Sequence, residues 1–257
     1  QQWGLNLQQY CTTYNWHTVY YFHHALASLD WYRGYYKNPL VDLKCIDRHF
    51  YSLNRLFDDP HRSHRKWLVK DFVEKNYINQ SYFSFPEKDS ITGRTYQECT
   101  GSTIPLPLTI DHHENGSHEL ELEYANRSYL NVVTETVFDL HENYITEKTF
   151  KPIVSKMPFV VLAPPRTLQT LRKYGFVTFN GWWNESYDLI EDNKQRYQAV
   201  LEIIDDVSKL SKNELTVWKN TQQNVLEHNH RHFYSNNFKN RILNELFDSI
   251  DQQVNAL

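Results

Sequence analysis

Three marked segments follow one another closely in this chain, and their order restricts what it can fold into. Val132-Val133-Thr134-Glu135-Thr136 is an apolar run ending on a carboxylate, and Tyr144-Ile145-Thr146-Glu147-Lys148 opens a helix. Pro158-Phe159-Val160-Val161-Leu162 is a second apolar run. Short apolar runs on either side of a helix are the pattern of strands buried on both faces of a parallel sheet. In such sheets ligands bind outside the carboxyl ends of the strands, where helix N-termini attract phosphate. A lysine in the first helical turn opposes the helix dipole, so Lys148 calls for an anionic partner. Glu147 beside it is placed to accept hydrogen bonds from ribose hydroxyls. Together these residues predict a site for a nucleotide that carries a transferable group.

The alternation extends in both directions. Phe50 to Leu53 closes an earlier strand, Asn54 to Ser63 is a polar loop, and His64 to Asn76 places Trp67, Leu68, Phe72 and Val73 at helical spacing. Tyr82 to Phe85 reads as the next strand, stopped by Pro86. Beyond Leu162 we expect a helix from Arg166 to Tyr174 and a strand from Val177 to Phe179. A helical tail begins at Glu185, with caps at Ser186 and Ser211. Strands alternating with helices predict an α/β domain with a Rossmann-like parallel sheet over residues 42–240. Residues 86–125 lose clear period, which marks an insertion or lid rather than core. Residues 1–41 are aromatic-rich, with a helix from about Thr18 to Tyr36, and residues 241–257 form a C-terminal helix.

The order of strand, Glu135, short loop, Tyr144 to Lys148, helix, apolar strand and Pro164-Pro165 resembles the donor-binding motif of the α-1,3-fucosyltransferases. Those are inverting glycosyltransferases of GT-B fold that use GDP-fucose. A second group, glycosyltransferase-like proteins of phages and giant viruses, resembles the chain more closely still. Its segments correspond to Leu53-Asn54-Arg55, His64-Arg65, Val133 to Thr136, Thr146 to Pro152, Gly175 to Phe179 and Glu185 to Asp188. The resemblance spans roughly residues 45–235 and rests on the shared order of segments that are individually short. It implies a GT-B-type donor domain acting by inversion, without a metal or separate cofactor, on a nucleotide-sugar substrate that is GDP-linked on the fucosyltransferase side. The acceptor is then a glycan, a protein or a modified nucleotide. The fucosyltransferase pattern has a second, acceptor-binding domain. Here that half is expected in reduced form, in residues 1–40 and the 86–125 insertion, or outside this chain.

Several residues follow as candidates. Lys148, with Lys151 as its substitute, is expected to neutralise the diphosphate leaving group; an exposed helix lysine is the plain alternative. Glu147 resembles the family's ribose-binding carboxylate, against a first-turn acid that merely suits the helix dipole. Arg65, with Arg62 as its alternate, follows the first strand's loop, where a guanidinium can grip phosphate oxygens bidentately. Asn54 and Arg55 face the same crevice from the strand end. Glu135 closes an apolar strand, where an unpaired carboxylate is costly, so a partner such as a sugar hydroxyl is expected. Glu142 and Asn143 are the alternatives for that role. Tyr144 is expected to stack on or hydrogen-bond the nucleotide, or else to be core, while Asp111 and Glu142 are candidates on the acceptor side. The expected catalytic set is therefore Glu135, Arg65 and Lys148, and the donor-binding set is Asn54, Arg62, Arg65, Tyr144, Glu147 and Lys148.

Composition excludes some classes. Hydrophobic residues at 40% provide for a substantial core. A net charge of −4 argues against a protein that coats nucleic acid, which needs a clustered basic excess. No apolar run reaches the roughly 18 residues of a spanning helix. Cys11, Cys45 and Cys99 form no CxxC pair, so a reducing compartment is the simpler expectation: the cytoplasm, that of an infected host on the viral resemblance, ahead of the secretory lumen. Asp111, His112, His113 and His118 cluster, but among 13 histidines this is unsurprising and the spacing matches no zinc or two-metal motif, so no metal is expected. A metal-dependent phosphoesterase is the rival that cluster would support. A nucleotide-sugar-binding module without catalysis is the other alternative. Neither Gly-x-Gly-x-x-Gly nor a Walker lysine is present, which lowers the dehydrogenase and P-loop readings.

Overall fold

Four parallel strands form the centre of the protein in the order β2-β1-β3-β4. They are β1 (Arg48–Leu53), β2 (Ser81–Ser84), β3 (Ser128–Thr134) and β4 (Phe159–Leu162). The computed structural model describes residues 21–36, 46–106, 108–110, 118–140 and 144–255. The helices among them are α1 (His23–Trp31), α2 (Ser63–Glu74), α3 (Tyr96–Thr100), α4 (Leu122–Asn126) and α5 (Glu147–Val154). They continue with α6 (Thr167–Lys173), α7 (Asn193–Ser208), α8 (Lys212–Phe233) and α9 (Asn236–Val254). The chain runs from β1 to β2 on one side, then crosses back to β3 on the other. The direction of winding therefore reverses between β1 and β3, where an open α/β sheet has its ligand crevice. The expected Rossmann-like α/β fold is present.

Every residue of β2, β3 and β4 is buried, which explains why apolar runs rather than alternating patterns marked them. β4 takes up the second apolar run from Phe159 to Leu162, leaving Pro158 just before it. On one face of the sheet Phe50 packs against Phe72 of α2, with ring centroids 5.6 Å apart, and Phe72 against Phe83 at 4.9 Å. Burying each such ring contributes about 1.5–3 kcal/mol. This face joins the main core, which also takes Ala25 of α1, Phe150 of α5 and Phe238 of α9. The N-terminal helix and the C-terminal helix thus share the core of the sheet domain rather than standing apart from it. The other face carries a smaller cluster of Tyr51, Tyr82, Ile110, Ala125 and Met157.

Two expectations of local structure are not met. Residues 177–179 form no strand. Instead, Asn229 of α8 accepts from the Val177 N–H at 2.8 Å and donates to the Val177 carbonyl at 2.8 Å. The Phe179 N–H donates to Glu185 Oε1 at 2.7 Å, so side chains satisfy what a fifth strand would have satisfied. Ser186 caps no helix either. Asp192 caps α7 through the Gln195 N–H, whereas Ser211 does cap α8, in a reciprocal box with Glu214. Glu185 and Asp188 hold the intervening turn, Asp188 by accepting from the Leu168 and Gln169 N–H groups at the start of α6.

Candidate functional site

A crevice of about 440 Å³ opens at the carboxyl ends of β1 and β3 and runs down the sheet face that carries Tyr51 and Asn131. Leu53, Asn54, Arg55 and Leu56 line it from β1 and its loop, Thr134 and Thr136 from β3, and Glu147, Lys148 and Lys151 from α5. Its outer wall comes from the aperiodic insertion, through Ser90, Ile91, Glu119 and Glu121. Arg62 and Arg65 complete the basic lining. Among the described residues, five cations and three carboxylates line the crevice, a surplus of two positive charges.

Its floor is a network of polar groups bonded chiefly to one another, with Arg65 Nε buried and left without a partner. Asn54 Nδ2 donates to Ser52 Oγ at 3.2 Å, and Asn54 Oδ1 accepts from Thr134 Oγ1 at 2.8 Å, so one amide ties β1 to β3. Arg65 is 3% exposed, and its fork turns to the chain's own carbonyls: Leu56 at 2.7 Å, Thr134 at 3.0 Å and Glu135 at 3.0 Å. Burial pushes its pKa down to about 10, helped by Arg62, and it stays cationic at neutral pH. Arg65 therefore clamps strand ends and lends charge; the expected bidentate grip on phosphate is not how its nitrogens are spent. His64 next to it is fully buried, stacked on Phe138 at 4.8 Å, and burial holds it well below the usual histidine range.

Glu135 is also fully buried, and its partner is the protein itself. One carboxylate oxygen accepts from the Thr146 N–H at 3.0 Å and Thr149 Oγ1 at 2.6 Å. The other accepts from the Thr136 N–H at 3.1 Å and Thr146 Oγ1 at 2.6 Å. Four donors fill it, and it does not line the crevice. The expected role in deprotonating an acceptor or binding a sugar hydroxyl is corrected: Glu135 anchors the N-terminus of α5 to the end of β3. The sequence argument that it needed a partner holds; the partner is Thr146 and Thr149.

That anchor aims α5 at the crevice. Thr146 caps the helix and Glu147 and Lys148 occupy its first turn. Lys148 Nζ reaches Glu147 Oε1 at 2.8 Å, Thr136 Oγ1 at 3.1 Å and Thr146 Oγ1 at 3.4 Å. The anionic partner called for by its position is thus Glu147. Glu147 is only 6% exposed and Lys148 is half-buried. Burial opposes ionisation of Glu147, but the Lys148 ammonium overrides it and holds the carboxyl below its ordinary value. One turn on, Lys151 lines the crevice, its side chain without a hydrogen bond or ion pair among the described residues, and burial lowers its pKa against the pull of Glu147. Arg55 is exposed at the rim and likewise unpaired among the described residues. Among the described residues the Arg62 side chain spends only Nε, on the Thr136 carbonyl at 3.3 Å. The cations left to meet a ligand are Arg55, Arg62 and Lys151, with Lys148 shared.

Tyr144 does not line the crevice. It is 38% exposed, so it is not core, and its hydroxyl meets His24 Nε2 of α1 at 3.3 Å. Asp111 and Glu142 lie outside the described residues, as do His112 and His113. Sequence reasoning missed Asp89. Its buried carboxylate accepts from the N–H groups of Phe57 (2.7 Å), Asp58 (3.0 Å), Ile91 (3.0 Å) and Thr92 (3.2 Å). Burial opposes the charge, yet those four donors hold its pKa down to about 2. Asp89 thereby fastens the two rim loops to each other. The only available signal was Asp-Ser-Ile-Thr-Gly at residues 89–93, a turn pattern of the kind in which Asp bonds backbone two residues on.

Comparison with protein-family models, curated proteins and solved structures returns no match. Among the described residues, no group of three or more His, Cys, Asp or Glu is placed to hold a metal ion. No described helix is long and apolar enough to cross a membrane.

Proposed function

We propose that the chain is a glycosyltransferase, of GT-B donor-domain type, that moves a sugar from a nucleoside diphosphate donor to a hydroxyl acceptor. The observation that carries this reading is the cation surplus at the topological switch point, with Lys151 and Arg55 unpaired there among the described residues. When a glycosyl bond breaks, negative charge develops on the departing diphosphate, and preplaced cations stabilise it. Arg55, Arg62, Lys148 and Lys151 are the groups for that task, standing where a metal ion would otherwise neutralise charge. Glu147, at the N-terminus of α5, is the group for the ribose hydroxyls. The resemblance to fucosyltransferases supplies the favoured base, guanine, and direct displacement with inversion. Glu135 being filled, the carboxylates of the outer wall, Glu119 and Glu121, are the groups among the described residues for deprotonating the acceptor.

The saturation of Glu135 also favours a second reading, a nucleotide-sugar-binding module without catalysis. Release of free nucleoside diphosphate from GDP-, UDP- and CDP-sugars, without acceptor, separates the two. A transferase releases it slowly from at least one donor, in the presence of chelator, and Lys151→Ala slows that release. Tight binding of a donor with no release from any of the panel would leave only the binding module.

A further inference from the structure

Gly181-Trp182-Trp183-Asn184-Glu185-Ser186 takes no part in the crevice, yet it carries two tryptophans at a turn. Trp182, Trp183, Asn184 and Ser186 line a second cavity of about 250 Å³ with Glu202 of α7 and Trp218 of α8. It shares no lining residue with the crevice. Trp183 is 8% exposed, sits against Phe179 at 5.2 Å, and its buried Nε1 has no hydrogen-bond partner. Trp182 Nε1 donates to Thr221 Oγ1 at 2.8 Å, which fixes that indole to α8. Asn184 Oδ1 accepts from the Ser186 N–H at 2.9 Å, leaving the Asn184 amide N–H groups to serve as donors. Glu202 has no ion-pair partner among the described residues, whereas Asp206, also in the lining, pairs with Lys209 at 3.1 Å. No lysine or arginine lines this cavity among the described residues.

We infer that this cavity is a binding site for one neutral pyranose ring of a carbohydrate. Such a ring has an apolar C–H face and a rim of hydroxyls that both donate and accept. Three indoles provide apolar surface. Glu202 accepts, the Asn184 amide donates, and the Ser186 hydroxyl does either. The volume lies below the roughly 300–1,000 Å³ of sites for drug-sized ligands, which suits a single ring. Carboxylates without a lining cation repel phosphate and acidic sugars, so the ligand differs in kind from that of the crevice. A quaternary ammonium ion would use the indoles and Glu202, but it would leave the Asn184 and Ser186 donors idle. The inference does not rest on the transferase reading.

Saturation-transfer NMR with the methyl glycosides of glucose, galactose, fucose and N-acetylglucosamine tests it, with tetramethylammonium as the counter-probe. Indole N–H resonances report the location. At least one glycoside is expected to bind, to shift the Trp183 and Trp218 signals, and to be undisturbed by excess nucleoside diphosphate. Trp218→Ala should abolish that binding. Glu202→Gln, at an exposed position where folding is not at stake, should weaken it about tenfold, as loss of one hydrogen bond to a charged group implies. Perturbation of these indoles by tetramethylammonium alone would overturn the inference. So would glycoside binding that survives Glu202→Gln at full strength, or that nucleoside diphosphate displaces.

Discussion

The floor of the crevice and its basic lining are built from the same residue types to opposite ends. On the floor and directly behind it, Asn54, Arg65 and Glu135 are buried and bonded chiefly to the chain. In the lining, Arg55 and Lys151 have no partner among the described residues, and Arg62 has one. A charge whose hydrogen bonds are filled inside the protein holds shape, while one left unfilled beside a cavity is available to a ligand. Charge in the crevice is therefore a poor guide to role; what matters is where each donor and acceptor is spent.

The largest effect is expected on the floor. Glu135→Ala strands four donors at the junction of β3 and α5 and should lower stability by roughly 3 kcal/mol or more, measured by urea denaturation. If the variant keeps the parent midpoint and merely loses activity, the floor and the lining are not different in kind. Lys148 sits between the two. Lys148→Ala removes one cation from the crevice and leaves Glu147 buried with a weaker partner. It should weaken binding of a nucleoside diphosphate about tenfold, the loss of one charge-assisted contact, and cost about 1 kcal/mol of stability. Glu147→Gln should raise the apparent Kd for donor with little change in kcat, because a ribose contact is alike in ground and transition states. Equal losses in both variants, in stability alone, would make that turn ordinary scaffold.

The smallest effect concerns acid. Asp89 has a folded pKa of about 2, below its ordinary value of 3.8. Its contribution to stability is thus complete above the unfolded pKa and is lost as pH falls from there towards about 2. The Asp89→Asn variant should show a flatter decline of thermal midpoint over that window than the parent. An unchanged slope would mean that the rim loops are not fastened by this carboxylate.

How far the sequence revealed all this depended on whether a residue's environment was local. β4 and the start of α5 were legible because an apolar run and a Thr cap declare themselves within a few residues. Lys148 and Glu147 were legible for the same reason. The filling of Glu135 was not, since it depends on Thr146 and Thr149, 11 and 14 residues away across a loop. Arg65 was read as a phosphate grip because nothing in the sequence shows that three carbonyls converge on it. Residues 177–179 have a strand's composition, but Asn229, 52 residues beyond Val177, takes their hydrogen bonds. The part of the outer wall at Ser90 and Ile91 had no period to read, being held by the bonds of Asp89 to backbone about 30 residues earlier.

The central claim, that unfilled cations make the crevice a diphosphate site, is tested most directly by titration calorimetry on the parent and on an Arg55→Ala, Lys151→Ala double variant. Guanosine, GDP, UDP and CDP would be titrated with and without chelator. Neither substituted side chain has a bond to lose among the described residues, so the double variant should melt with the parent. The parent should bind GDP more tightly than guanosine, unaffected by chelator, and the double variant should lose most of that difference. Equal affinity for guanosine and GDP, or GDP binding untouched in the double variant, would contradict the account.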